Sequence, residues 1–204
     1  MSFWERTVVP RLVELTCGAS ALDGFRQATT QGLTGRVLEI GFGSGTNVPH
    51  YPKTVTEVLA VEPSEVATRI AEARIAASAV PITHVGLDGG AIDLDDASCD
   101  RVLLTFTLCT LPDPHAALRE VRRVLVPGGQ LHLLEHGAAP DGSVARWQRR
   151  LDPIEVKLAG GCHLTRDPVG LVTSSGFEVT EIEQRYGRGP RPWSYFTRLR
   201  ATTP

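Results

Sequence analysis

A glycine-rich segment, Gly41-Phe42-Gly43-Ser44-Gly45, directly follows the short apolar run from Arg36 to Ile40. Glycine at alternate positions lets a ligand touch the backbone, because side chains at those positions would collide with it. A dinucleotide site usually reads G-x-G-x-x-G, and its last glycine admits a pyrophosphate to a helix N-terminus. In this sequence the third glycine comes one residue early. The segment therefore predicts a loop that binds a ligand lacking a pyrophosphate.

Acidic residues stand at the ends of the apolar runs around this loop. Glu62 follows Val58 to Val61, where a carboxylate can accept both hydroxyls of an adenosine ribose, each charged hydrogen bond contributing about 1.5–3 kcal/mol. Asp88 and Gly89 follow the next run, where adenine would lie. Glu39 lies inside the first run, a costly place for a carboxylate unless loop amides or a cationic ligand such as a sulfonium compensate for lost hydration. The alternative is a plain tight turn, with Glu39 at the surface of an edge strand.

Candidates for proton transfer come after the run from Gln130 to Leu134, which is followed by Glu135 and His136. Histidine has a pKa near neutrality, so we predict His136 as a general base; the alternative is a histidine that only hydrogen-bonds within a loop. Glu135 could orient His136, contact the cofactor, or join Asp152 and His163 in holding a divalent metal such as Mg²⁺ that acidifies a hydroxyl. His163 could instead be a second base, an acceptor ligand or a solvent-facing residue.

The elements that would position these residues alternate between strand-like and helical patterns. Apolar residues at helical spacing follow Ser64, which can cap that helix. A second helix begins at Asp113-Pro114. It should end at Gly128-Gly129, because glycine tolerates the left-handed backbone that ends a helix abruptly. Such alternation predicts an α/β fold, a mostly parallel sheet with helices on both faces. The predicted strands are Arg36–Ile40, Val58–Val61, Pro81–Val85, Arg101–Phe106 and Gln130–Leu134.

The last third of the chain carries a different pattern. Residues Ser143 to Leu158 have apolar side chains at helical spacing, and Pro153 should kink or split that helix, which we interpret as a lid beside the sheet. Phe177–Tyr186 and Trp193–Ala201 predict two paired strands across a Gly/Pro-rich turn. At the other end of the chain, Phe3 and Trp4 are expected either to cover a pocket or to pack in the core.

Length and composition limit the classes of protein that fit. The chain has 204 residues, 42% of them hydrophobic and 22% charged, with a formal net charge of -2, which predicts one soluble domain and argues against nucleic acid as a partner. No run approaches the length of a transmembrane segment, and the first residues lack a secretory signal. The four cysteines show no paired spacing. We therefore expect reduced thiols, without a zinc cage or disulfide framework, in the cytoplasm. Only two of 21 basic residues are lysine, which indicates a GC-rich bacterial source.

Residues 30–136 resemble the class I methyltransferases that use S-adenosylmethionine. The match to the small-molecule branch, which includes quinone-biosynthesis methyltransferases, rests on the first motif, the ribose acid, the adenine contact and three later stretches. These are Val37–Asn47, Glu62, Asp88-Gly89, Asp96–Asp100, Leu111–Pro114 and Arg119–Gly129. The resemblance implies a single Rossmann-like domain with a seven-stranded, mostly parallel sheet and an antiparallel C-terminal strand.

Beyond the fifth strand the chain is similar to animal methyltransferase-like thiol methyltransferases and to bacterial relatives that include mycobacterial sugar O-methyltransferases. The similarity rests on Glu135-His136, Trp147, Asp152-Pro153 and the stretch Gly161–Arg166. We therefore expect methyl transfer to a small-molecule hydroxyl, with a sugar as the first guess and a thiol or a quinone carbon as the alternative.

The resemblance also implies a cofactor, a site and a division of the chain. The cofactor would be S-adenosylmethionine, leaving S-adenosylhomocysteine as product, and the protein would be a monomer or a homodimer. We expect N-terminal lid helices over residues 1–35, a cofactor-binding core over 36–136, a substrate lid over 137–175 and a C-terminal hairpin over 176–204. The expected cofactor-binding residues are Glu39, Gly41, Gly43, Gly45, Asn47, Glu62, Asp88 and Gly89, with Asn47 at the amino-acid end.

Overall fold

The computed structural model describes residues 4–203, and for residues 5 and 6 only the backbone. Phe3, expected to border the pocket, lies outside the described residues. The helices are α1 Val9–Cys17, α2 Asp23–Thr30, α3 Glu65–Ala76, α4 Pro114–Val124, α5 Gly142–Leu158 and α6 Pro168–Ser174. The strands are β1 Gly35–Ile40, β2 Val55–Val61, β3 Ile82–Gly86, β4 Cys99–Thr105, β5 Leu125–His136, β6 Glu178–Tyr186 and β7 Tyr195–Thr202. None of the described helices is long and apolar enough to span a membrane.

The seven strands form one sheet in the order β3-β2-β1-β4-β5-β7-β6. Strands β1 to β5 are parallel to one another, whereas β7 runs antiparallel to both β5 and β6. The predicted fold class, a mostly parallel seven-stranded sheet with an antiparallel C-terminal strand, is thus confirmed. Because β1 lies between β2 and β4, Glu39 is on a central strand and not on an edge.

Helices cover both faces of the sheet, because side chains alternate along each central strand. Leu38 and Ile40 of β1 belong to the core cluster that includes Leu118 of α4 and Val172 of α6. On the opposite face, Val37 packs with Leu33, which precedes β1, and with side chains of the neighbouring strands, Val55, Val58 and Leu103. The carboxyl ends of β1, β2, β4 and β5 therefore meet at one edge, which is where open α/β sheets bind ligands.

Two sequence-based expectations about local structure are corrected. Helix α4 ends at Val124, and Gly128-Gly129 lie within β5, where Gly128 has a φ of +76°. Helix α5 continues through Pro153 instead of splitting there. In both cases tertiary packing overrides a local sequence signal. The glycine loop is followed by a single 3₁₀ turn, Val48–His50.

The apolar stripe of α5 does not face the sheet. Its buried side chains are Val144 and Gln148, whereas Trp147, Ile154 and Leu158 are 54%, 56% and 49% exposed. The Gln148 amide explains this orientation, because it accepts from the Ala139 N–H and donates to the Gly137 and Pro192 carbonyls. The helix is thus fixed by buried hydrogen bonds, and its apolar stripe faces outward.

His132 of β5 makes stability depend on pH. It is fully buried, its Nδ1 lies 2.8 Å from the Thr29 carbonyl, and its Nε2 has no partner among the described residues. Burial, helped by the charges of Arg200 and Arg101, lowers the pKa of His132 to about 4. The unfolded chain therefore binds the extra proton first, and the free energy of unfolding falls as pH drops from about 6.5 towards 4, by up to about 3 kcal/mol.

We predict that His132→Asn, which keeps a donor for Thr29, loses most of this pH dependence. Urea unfolding of both proteins at intervals between pH 7 and pH 4 measures it. An unchanged slope in the variant would assign the acid sensitivity to other groups.

Candidate active site

The backbone of the glycine loop requires glycine at all three expected positions. Gly41, Gly43 and Gly45 have φ values of +75°, +59° and +75°, in the left-handed region that other residues rarely adopt. A Cβ on Gly41 would collide with the Thr107 side chain. A Cβ on Gly43 would have no neighbour nearer than 3.8 Å, so the backbone there borders open space. The loop from Gly41 to Gly45, the cofactor cradle, therefore fits a ligand that contacts main-chain atoms.

Glu62 lies beneath the glycine loop at the end of β2. Its two carboxylate oxygens accept the Gly43 and Ser64 N–H groups, each at 2.8 Å. Burial raises the pKa of Glu62, and these two hydrogen bonds oppose that shift. Each carboxylate oxygen has a second lone pair, which suits a pair of ribose hydroxyls.

The expected adenine contact follows β3. The Asp88 side chain is exposed and accepts the Gly90 N–H at 2.8 Å. Gly89 is buried, and a Cβ there would come within 2.5 Å of Ile40 Cγ2. This close approach brings the loop after β3 against the end of β1, beside the glycine loop.

Glu39 is fully buried and its carboxylate is satisfied by side chains of the loop after β1. One oxygen accepts from the Asn47 amide at 2.7 Å and the other accepts from the Tyr51 hydroxyl. The Asn47 carbonyl in turn accepts from Arg26 at 2.8 Å. Burial raises the pKa of Glu39 to about 7 against the lowering effects of Tyr51, Asn47 and Arg26. These side chains therefore replace the hydration that the buried Glu39 carboxylate has lost, a role expected, from the sequence, of loop amides or a cationic ligand.

Asn47 has little hydrogen-bonding capacity left for a ligand. Its amide nitrogen also donates to Thr105 Oγ1 at 2.9 Å, so both ends of the side chain are engaged. The arrangement makes Asn47 a link between Glu39 and Arg26. Sequence reasoning missed Arg26 and the contact of Tyr51 with Glu39, because only the fold brings α2 and this loop to the end of β1.

The N-terminal segment covers the glycine loop. Glu14 of α1 accepts from the Ser44 hydroxyl and forms an ion pair with Arg74 of α3 at 2.6 Å. Trp4 donates its indole N–H to the Leu158 carbonyl at the end of α5. The segment from Trp4 to the end of α1 thus contacts both the glycine loop and α5.

Beside this cradle, three side chains from distant parts of the sequence meet. His136 ends β5, and its Nε2 lies 3.0 Å from Cys162 Sγ. One ligand-type atom of each of Cys109, His136 and Cys162 lies within 4.8 Å of the others. The His163 N–H donates to the Cys109 carbonyl at 2.9 Å, which fixes the two loops together. The fold thus brings together Cys109 and Cys162, which show no paired spacing in the sequence.

Glu135 joins this cluster from the opposite side of β5. One oxygen accepts the Thr107 and Leu108 N–H groups at 2.5 and 2.6 Å, while the other is buried without a partner among the described residues. Burial raises the pKa of Glu135 to about 7. Glu135 does not orient His136 through a hydrogen bond, because His136 Nδ1 is also without a described partner.

The cluster favours a thiolate beside an imidazolium. The hydrogen bond from Cys109, opposed by burial and reinforced by His136, lowers the pKa of Cys162 well below its ordinary value. Burial lowers the pKa of His136, but the hydrogen bond and charge of Cys162 and the charge of Glu135 raise it by more. Such a pair resembles the environment of reactive cysteines in general.

The expected metal set of Glu135, Asp152 and His163 is not assembled. Asp152 accepts from His163 Nδ1 at 3.0 Å and also holds Thr165, whereas the engaged oxygen of Glu135 is bound to backbone amides. Within residues 4–203 the only group of three ligand-type side chains in mutual reach is Cys109, His136 and Cys162. Its 3.0 Å contact is a hydrogen-bond distance, shorter than the about 3.5 Å between sulfur and nitrogen ligands of one tetrahedral zinc ion.

Phe106 contacts both the cysteine and histidine cluster and the Arg26 end of the Glu39 network. It follows β4 with a φ of +55°, a strained conformation for an aromatic residue. Its ring stacks on His136 with centroids 6.5 Å apart, and Arg26 lies 5.5 Å over the ring. Strain of this kind concentrates at functional sites, and no sequence pattern marked it.

Comparisons with known proteins agree with this architecture. A family model described as a methyltransferase domain matches residues 38–133. Thiol S-methyltransferase TMT1B of Rattus norvegicus is 35% identical over 72% of this chain and 62% of its own length. The Homo sapiens protein of the same name is 34% identical over 76% of this chain and 67% of its own length. The chain thus spans about two thirds of the length of these relatives.

A solved S-adenosylmethionine-dependent methyltransferase from Thermotoga maritima has the same fold, with a TM-score of 0.69 at 23% identity over 98% of both chains. This chain belongs to the class I S-adenosylmethionine-dependent methyltransferases. The backbone of the glycine loop and the carboxylate of Glu62 fit the adenosyl part of that cofactor.

We predict that Glu62→Ala weakens S-adenosylhomocysteine binding at least about tenfold, because the ribose hydroxyls lose their charged acceptor. Isothermal titration calorimetry measures the affinity, and a thermal melt shows that the fold persists. Glu57→Ala is the matched control, since Glu57 is on the same strand and pairs with Arg36 at the surface. Equal affinity in the wild type and Glu62→Ala would remove Glu62 from the site.

Proposed function

We propose that this protein methylates the thiol of a small-molecule acceptor. The observation that carries the proposal is the buried contact of Cys162 with His136 beside the cofactor cradle. A thiol with a pKa near 8.5 needs only modest help to ionise, and a neighbouring imidazolium provides it by favouring the negative sulfur. The similarity to proteins named thiol S-methyltransferases supports the same acceptor class.

The small hydroxyl acceptor expected from the sequence has less support. An alcohol is far less acidic than a thiol, and the sequence analysis therefore invoked a hard divalent cation held by Glu135, Asp152 and His163. Those three side chains do not converge, since Asp152 and His163 bond to each other while Glu135 holds the loop after β4. A sugar hydroxyl and a quinone carbon remain alternative acceptors for the experiment below.

His136, predicted as a base, acts in this proposal together with Cys162. In this proposal the pair shares one proton between Cys162 Sγ and His136 Nε2, and the directions of the two pKa shifts favour the thiolate and imidazolium form. The acceptor thiol gives its proton to Cys162 Sγ, and the imidazolium then stabilises the acceptor thiolate instead. The net change is one proton moved from the acceptor sulfur to Cys162, with no net charge created. When bound, S-adenosylmethionine supplies the methyl group as an activated sulfonium.

Glu135 and Phe106 hold this pair in place. Glu135 fixes the Thr107 and Leu108 amides, next to Cys109 in the loop after β4. Phe106 stacks on the His136 ring. Alignment of the acceptor with the donor is the main requirement of a direct displacement, so these contacts contribute through positioning.

The four cysteines support a reducing compartment for the proposed enzyme. All of them are free thiols, including the adjacent Cys109 and Cys162. A thiolate of low pKa beside a second thiol is readily oxidised, so the proposed activity requires reducing conditions such as those of the cytoplasm.

We predict that the purified chain transfers label from methyl-labelled S-adenosylmethionine to alkyl and aryl thiols at least about a hundredfold faster than to matched alcohols, because only the thiols ionise readily near pH 7. The panel pairs each thiol with its alcohol and adds sugars and a demethylated quinone. Label appearing mainly in an alcohol, sugar or quinone would replace the thiol proposal with that acceptor class.

We also predict that His136→Gln lowers kcat about a hundredfold or more without comparable loss of cofactor affinity.

Cys162→Ser should lower kcat and move the acid limb of the pH profile upward, because serine has no accessible anion. The control is Cys99→Ser, a buried cysteine at the start of β4 outside the cluster. A Cys162→Ser profile identical to that of Cys99→Ser would exclude Cys162 from proton transfer.

A further inference from the structure

The outward stripe of α5 combines exposed apolar residues with a basic flank. Trp147, Ile154 and Leu158 are spaced by seven and four residues, so they lie on one line along the helix. Each keeps about half of its surface exposed, at 54%, 56% and 49%. Exposed apolar side chains of this size, aligned on one helix, mark a binding surface more often than chance exposure does.

Two further tryptophans extend this surface at its edges. The Trp4 indole, 41% exposed, donates to the Leu158 carbonyl at the C-terminal end of α5. The Trp193 indole, 38% exposed, donates to Glu155 at 3.1 Å. Indole rings have a large apolar body and one polar N–H group, a combination suited to a boundary between water and hydrocarbon.

The charges around the stripe are mostly positive. Arg146, Arg150 and Lys157, all exposed, are spaced by four and seven residues along one flank. The two acids of this helix, Asp152 and Glu155, lie on its other side, where they contact His163 and Trp193. Although the whole chain has a formal net charge of -2, this face therefore presents a row of basic residues beside an apolar one. That pattern complements an anionic lipid surface.

We propose that the outward face of α5 docks this protein on an anionic membrane surface, with Trp147, Ile154 and Leu158 in the headgroup region. The basic flank contacts lipid phosphates, and the helix lies in the plane of the interface. The end of α5 leads within four residues from Leu158 to Cys162, so docking brings the candidate active site close to acceptors that partition into lipid. The docking itself is independent of which acceptor is methylated.

The test uses the purified full chain and flotation with two kinds of vesicle. We expect binding to equimolar phosphatidylcholine and phosphatidylglycerol, weak binding to phosphatidylcholine alone, and a steep decrease with added salt. Ile154→Ser should weaken binding to the anionic vesicles about tenfold, because one apolar side chain no longer enters the interface. The matched control is Ile182→Ser on β6, whose isoleucine is 48% exposed on a different element and whose binding should equal that of the wild type.

Three outcomes would overturn the proposal. The first is absence of flotation with anionic vesicles, and the second is equal loss in Ile154→Ser and Ile182→Ser. The third is self-association through α5, seen as a dimer in light scattering that Ile154→Ser dissociates while no variant binds vesicles. The result does not depend on catalysis, so failure of the proposed thiol acceptor would leave it intact.

Discussion

Three buried carboxylates organise the edge of the sheet on which the candidate active site depends. Glu39 and Glu135 are the last residues but one of β1 and β5, and Glu62 directly follows β2. Each of these carboxylates accepts hydrogen bonds from loops at the same edge of the sheet. A carboxylate removed from water is costly unless donors replace its hydration, so each loop is held where its donors are needed. The need to hydrogen-bond these buried carboxylates therefore fixes the glycine loop, the segment after it and the turn after β4.

That requirement connects the cofactor cradle to the chemistry beside it. Thr107 packs against Gly41 and donates its N–H to Glu135, which also accepts from Leu108, next to Cys109. Cys162 and His136 complete the path. Because the groups share contacts in a region of low dielectric, a change in the charge of one shifts the others, and the cluster titrates as a unit.

The outward stripe of α5 and the cluster lie at opposite ends of one short connection. After Leu158 the chain passes Gly160 and Gly161, whose φ values of +62° and +87° permit a tight approach to the loop after β4. The same segment that presents apolar surface to the outside thus delivers Cys162 to the inside. Function at this site and docking of α5 are separate proposals that share this structural element.

The fold class and the positions of the glycine loop and of Glu62 can be predicted from local sequence patterns. Alternating apolar runs and helical periods specify a parallel sheet, and local spacing marks Gly41 to Gly45 and Glu62, because these signals act over a few residues. Other features follow from the packing of distant segments: Arg26 and Tyr51 satisfy the Asn47 and Glu39 network, Cys109 meets Cys162, and α5 turns its apolar stripe outward. Those outcomes depend on which distant donors and acceptors are brought together when burial removes water, and no local pattern contains that information.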